Sequence, residues 1–179
     1  IIESGHDLRQ LIEELLALAK VEAGRIELHP VPLQLADLAT GLQRAFSTSL
    51  DSKGLVLQVD VSECPTVESD HAKVRQVLYN FLANAIKYAP GSGTLHLKTH
   101  LVDSGSVEIS VIDHGPGVPE DLRQVIFEKF RQGDSGLARG HGGTGLGLAI
   151  ARQFSEILRG SVRCDATPGG GATLSLIHI

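Results

Sequence analysis

Methionine is absent from all 179 residues. No initiator stands at Ile1, and the expectation is a piece of a longer chain. Cysteine is scarce: Cys64 and Cys164 lie far apart and lack metal-ligand spacing. They read as reduced packing thiols in a cytoplasmic protein rather than as a disulfide framework. No apolar run approaches the roughly 20 residues that cross a bilayer, and no signal peptide is visible. Basic residues are outnumbered, 16 against 21 acidic ones, for a net charge of −5. Nothing advertises a surface for nucleic acid or anionic membrane, so no nucleic-acid partner is expected. Three motifs are also missing: G-x-x-x-x-G-K-[ST], Gly-x-Ser-x-Gly and a paired His-Glu zinc sequence. Their absence removes the P-loop, hydrolase-elbow and zincin classes. There is no internal repeat.

What remains is ordinary for a soluble domain, with 42% hydrophobic and 21% charged residues and enough length for a real core. Leu8, Leu11, Ile12, Leu15, Leu18 and Ala19 predict a helix ending at Gly24. Its apolar stripe suits either packing on the domain's own body or half of a helical hairpin in a dimeric bundle. Residues 25–32 read as a linker, since Pro30 and Pro32 cannot continue the helix. Leu35, Leu38, Leu42, Ala45 and Phe46 restart a helical period, and residues 55–61 form a strand. Ser69 or Asp70 caps the next helix, whose apolar face is Val74, Val77 or Leu78, Phe81 and Ala85. Residues 94–102 and 106–112 make a β-hairpin around a turn at 103–105. Pro119 opens a short helix, and residues 131–143 are a mobile loop. A helix runs from Leu146 to Gly160, and two strands, 161–164 and 172–177, close the chain. Helices mixed with antiparallel strands indicate an α+β two-layer sandwich.

Three stretches carry chemistry. Gly140–Ile150 is dense in glycine and runs into a helix. Glycine allows close backbone approach, and a helix start offers N–H groups and a positive dipole end. A surface loop and a phosphate site are both compatible with that pattern. The formal G-x-G-x-x-G within it lacks a preceding strand and is discounted as a dinucleotide motif. Asn80, Asn84, Lys87 and Tyr88 share one helical stripe. They read either as solvated surface or as a cleft wall offering ligands to a hard cation, a phosphate and a base. Asp113-His-Gly-Pro-Gly117 follows a strand; the aspartate either makes a turn or accepts from the exocyclic amine of adenine, with Gly115 and Gly117 lying under a flat ring.

Together these stretches resemble the boxes of sensor histidine kinases. Asn80–Tyr88 is similar to the N box, Asp113–Gly117 to the G1 box, Phe127–Phe130 to the F box and Gly143–Leu148 to the G2 box, in family order. The resemblance implies a Bergerat-type ATP-binding fold, a mixed, mainly antiparallel sheet on helices, over residues 33–179. Residues 1–24 would be the end of the second dimerisation helix. It implies ATP and Mg²⁺ as cofactors, with Asp113 on the adenine amino group and Thr173 near the same edge. Asn84 would hold Mg²⁺ with Asn80 beside it, Lys87 would contact phosphate, and Tyr88, Gly115, Gly117 and Val118 would line the cleft. Backbone N–H groups of Gly143, Thr144, Gly145, Leu146, Gly147 and Leu148 would cradle the phosphates. Phe127 and Phe130 would anchor an ATP lid spanning 114–142. Asn80, Asn84 and Lys87 form the expected catalytic set.

The resemblance also implies partners: a phosphoacceptor histidine helix of the same or a partner subunit, a response regulator receiver domain, and homodimerisation in a parent that is either soluble or anchored in the inner membrane. The acceptor itself is missing here. His6-Asp7 begins like the acceptor motif, but Leu11 stands where its proline belongs. Related ATPases carry Glu four residues before the metal asparagine as a base on water; this chain has Asn80 there. That favours transfer to histidine over hydrolysis. A water-using ATPase and a nucleotide-binding module without transfer activity are the alternatives.

Overall fold

The computed structural model describes residues 12, 14–16, 18–21, 23–24, 26–61, 66–102, 105–131 and 144–178. A five-stranded sheet organises them, built from β2 (Leu55–Asp60), β4 (Gly93–Leu101), β5 (Val107–Ile112), β7 (Ala172–His178) and β6 (Ser161–Ala166), in that spatial order. Strands β2 and β4 run parallel, with Leu55 opposite Gly93 and Asp60 opposite Lys98; the other neighbours are antiparallel. The expectation of a mixed, mainly antiparallel α+β sheet is met.

Period-2 alternation gives the sheet two faces. Leu97, Val111, Leu174 and Cys164 stand in register across four strands and are buried. This row packs under three helices: α1 (Leu35–Lys53), α2 (His71–Tyr88) and α3 (Gly147–Ile157). The helices present Leu38, Leu42 and Phe46 from α1, Val74, Phe81 and Leu82 from α2, and Ile150 and Phe154 from α3. Each large side chain so buried contributes about 1.5–3 kcal/mol. The opposite face is polar. There Ser110 and Ser175 share a hydrogen bond of 2.9 Å, and Glu108 is covered by Arg163 at 2.6 Å and His100 at 3.3 Å.

Several local expectations shift. A two-stranded sheet pairs β1 (Val31–Leu33) with β3 (Val67–Ser69), so the last residues of the segment read as linker are a strand. Ser69 belongs to β3, and the cap of α2 is Asp70. The short helix after Pro119 is two 3₁₀ turns, Glu120–Leu122 and Val125–Phe127. The strands at the chain's end reach Ala166 and His178. Toward the N-terminus, residues 12, 14–16 and 18–21 are helical, and Leu18 is buried in the common core. That helix therefore packs on the domain's own body. His6, Cys64 and the centre of the 103–105 turn lie outside the described residues, as does 132–143 of the expected lid.

Candidate functional site

The site begins with the helix α2, whose start and rotation are both fixed. Asp70 Oδ1 accepts from the N–H groups of Ala72 and Lys73 at 3.0 and 3.1 Å, and Oδ2 accepts from His29 N–H at 3.0 Å. Burial pushes its pKa up, but the bonds from His29 and Lys73, the Lys73 charge and the Ala72 bond outweigh it and hold the carboxyl below its ordinary value. Val74, Val77, Leu78, Phe81 and Leu82 are all essentially inaccessible, which fixes the rotation of the helix and with it the stripe of Asn80, Asn84, Lys87 and Tyr88 beside this buried face. Asn80 is 6% exposed, and its Nδ2 donates to Gly147 O at 2.7 Å. Asn84 Nδ2 donates to Asn80 O at 2.8 Å. A backbone oxygen only accepts, so nitrogen must face it and Oδ1 of Asn84 points away. Lys87 Nζ lies 4.9 Å from the Tyr88 ring centroid. The far end of α2 is capped by Lys53, whose Nζ donates to Ile86 O at 2.7 Å and Lys87 O at 3.0 Å. Nothing in the sequence singled out Lys53, because its partners lie on another helix.

Asp113 sits where β5 ends. Its N–H donates to Ala172 O at 2.9 Å. Its Oδ1 accepts from Gly115 N–H at 2.8 Å and Ala172 N–H at 3.3 Å. Burial raises the pKa of this carboxyl against the pull of those two N–H groups and of His114. Close approach explains two glycines here. A Cβ on Gly115 would stand 2.6 Å from Tyr88 O, and one on Gly171 only 2.0 Å from Asp113 O. Gly171 and Ala172 are site residues that the sequence does not single out: Ala172 reads only as the first residue of the closing strand 172–177, and Gly171 as part of the link before it. Gly117 packs on Gly171, and Val118 O accepts from Arg123 Nε at 3.2 Å. Thr173 is in register with Ile112, next to Asp113, but its hydroxyl meets that of Thr167 at 2.9 Å.

The third part is the loop entering α3. Thr144 Oγ1 accepts from Leu146 N–H at 3.2 Å and donates to Glu14 Oε2 at 2.5 Å. Gly145 O accepts from Phe130 N–H at 3.0 Å. Leu146 is fully buried, and the helix begins at Gly147, with Ile150 N–H as the first donor to Leu146 O. The N–H groups of Gly147, Leu148 and Ala149 thus lie in the first turn, where a helix gives them no acceptor of its own and the dipole favours an anion. The Leu146 N–H, by contrast, is turned to Thr144. Gly143 lies outside the described residues. Phe127 is buried, whereas Phe130 is 64% exposed. Its backbone is left-handed, with φ of +60°, and its N–H is held by Gly145 O.

The structure therefore joins Asn80 to Gly147, Asn84 to Asn80, Tyr88 to Gly115, and Asp113 to Gly171 and Ala172. A separate cleft of about 550 Å³ behind α3 shares only Phe127 with this set. Its arginines are already engaged, Arg123 by Val118, Arg152 by Glu156 and Arg163 by Glu108 and Asp165. Among the described residues no group of three or more His, Cys, Asp or Glu is arranged to hold a metal ion, and no helix is long and apolar enough to cross a membrane.

Residues 69–179 match the family described as histidine kinase-, DNA gyrase B-, and HSP90-like ATPase. The circadian input-output histidine kinase CikA of Synechococcus elongatus is 32% identical over 98% of this chain, which spans 24% of that protein. The virulence sensor protein BvgS of Bordetella bronchiseptica is 36% identical over 97% of the chain, which spans 14% of it. Among solved structures, full-length ShkA in complex with AMPPNP superposes with a TM-score of 0.87 at 35% identity, over 98% of this chain and 36% of that one.

Proposed function

The chain belongs to the histidine kinase-, DNA gyrase B-, and HSP90-like ATPases, and from that premise we propose that it is the ATP-binding catalytic domain of a sensor histidine kinase. It transfers the γ-phosphate of ATP to a histidine on a dimerisation helix, for relay to a response regulator receiver domain. On this reading residues 1–24 end the second dimerisation helix, 25–32 connect, and 33–179 bind nucleotide in the cytoplasm as part of a homodimeric parent.

The base end follows from Asp113. Both of its backbone bonds fall on Oδ1, so Oδ2 receives the adenine amino group; guanine would present an oxygen there and be repelled. Gly115, Gly117 and Gly171 keep the approach flat. The phosphates lie toward the first turn of α3, where the N–H groups of Gly147 to Ala149 meet them, with Lys87 adding charge. Mg²⁺ fits the donor set, since this cation keeps waters and takes few protein ligands beside phosphate oxygens. The outward Oδ1 of Asn84 is the ligand this chain offers. When bound, the ion neutralises phosphate charge. Transfer forms an N–P bond to the imidazole as the bond between the γ-phosphorus and its bridging oxygen breaks and ADP departs. The protein's own share is positioning and charge.

One observation carries the choice of kinase over hydrolase. The position that would hold a general base is Asn80, an amide that cannot take a proton and is bonded to Gly147. Imidazole needs no such base because it is itself the nucleophile. The test supplies ATP, Mg²⁺ and the parent's dimerisation fragment bearing the acceptor. Acid-labile phosphohistidine on that fragment is expected, and its absence overturns the proposal. Steady phosphate release without acceptor supports the ATPase instead.

A further inference from the structure

Asn80 touches the protein at both ends of its carboxamide. Nδ2 donates to Gly147 O across 67 residues of chain at 2.7 Å, and Oδ1 faces Gln76 Nε2 at 3.5 Å. The side chain is buried, and the two segments are in contact: a Cβ on Gly147 would lie 3.6 Å from both Cγ and Oδ1 of Asn80. Gly147 is the first residue of α3, so a bond to its carbonyl fixes the helix at the end that faces the phosphates. The carbonyl has a lone pair to spare for this beside its helical bond. Asn80 also presents its backbone oxygen to Asn84 Nδ2 at 2.8 Å, which orients the amide offered to the cation. One residue thus references both the helix start and the metal-side amide.

We infer that Asn80 is a positioning residue rather than a metal ligand: its amide N–H locks the first turn of α3 to the helix carrying Asn84 and Lys87. The inference rests on the nucleotide reading above only for what the lock serves. A carboxylate of the same shape cannot donate, and at neutral pH it would set a negative charge against the Gly147 carbonyl. Protonated, it regains an O–H donor in the right place.

That difference gives Asn80→Asp an effect of opposite sign under the two roles. The whole 179-residue chain is titrated with AMPPNP and Mg²⁺ at neutral and mildly acidic pH, each variant read as a ratio to the unsubstituted protein. As a lock, N80D binds about tenfold more weakly at neutral pH and recovers on acidification, while N80A stays weak at both. As a metal ligand, N80D keeps its affinity at neutral pH and loses it in acid, and that result overturns the inference. A second readout needs no nucleotide. Hydrogen exchange at the Ile150 amide, whose bond to Leu146 O closes the first turn, should quicken in N80D at neutral pH and return toward the unsubstituted protein in acid. Unchanged exchange in N80A and N80D overturns the lock even if no nucleotide binds at all; failure of AMPPNP binding with altered exchange instead sinks only the functional proposal.

Discussion

A carboxylate that must accept from a ligand's amine is useful only while it is ionised. Asp113 is nine-tenths shielded, at 6% exposed, and burial raises its pKa above the ordinary carboxylate value despite two N–H donors. A raised acid pKa in the folded protein means proton uptake begins, as pH falls, before an exposed aspartate would respond. Folding itself is not weakened by that uptake, but on the proposed reading adenine loses its acceptor. AMPPNP affinity is therefore expected to decline on acidification, beginning at a higher pH than an exposed aspartate would set. D113N should bind about tenfold to a hundredfold more weakly at neutral pH and show no such step. Isothermal titration across pH checks both; a D113N variant that retains the step would assign the titration to another group.

At the scale of the element, α2 depends on one cap. Asp70 satisfies two N–H groups of the first turn and also draws in His29 from the segment before β1. D70A should cost about 1–2 kcal/mol, read from the midpoint of denaturant unfolding. Because the folded pKa of Asp70 is depressed, its contribution is present above the unfolded value and disappears as pH falls through the folded one. The gap between D70A and the unsubstituted protein should accordingly close in acid. The cap is legible in the sequence as one of two candidates, and so are the helix α2 and its box, since the run Asn80–Tyr88 states its spacing within a few turns. Strands β1 and β3 were not, because three residues cannot display a period. Gly171 was hidden for another reason: what makes it glycine is Asp113, far away in sequence and touching only after β5 and β7 pair. The exposure of Phe130 and its left-handed backbone were not legible either, since both go with a bond to Gly145, which lies beyond the intervening loop.

Across the whole molecule, the N-terminal helical segment is joined to the loop entering α3 at Glu14, buried and bonded by Thr144. A hydroxyl donating to a carboxylate is a charge-assisted bond and a strong one. E14A and T144V should each lower stability, with a coupling between them of about 1–2 kcal/mol in a double-mutant cycle. Additive losses would mean that the two residues do not hold each other. The contact gives any displacement of that helix a direct mechanical route to the loop at Thr144–Gly147, where Asn80 and Phe130 also converge.

The parallel pairing of β2 with β4 has a consequence for how such a site comes into being. Parallel neighbours require a crossover, and here the crossover contains β3 and α2, the helix that carries Asn80, Asn84 and Lys87. Its docking must await closure of a long loop, whose entropy is spent before any non-local contact rewards it. Asp113, Gly147 and Gly171 join from three further segments. On the proposed reading nucleotide occupancy is thus wired to completion of the entire fold, and a nucleotide at a hundred times its Kd should stabilise the whole cooperative unit by about 2.7 kcal/mol rather than any one part of it.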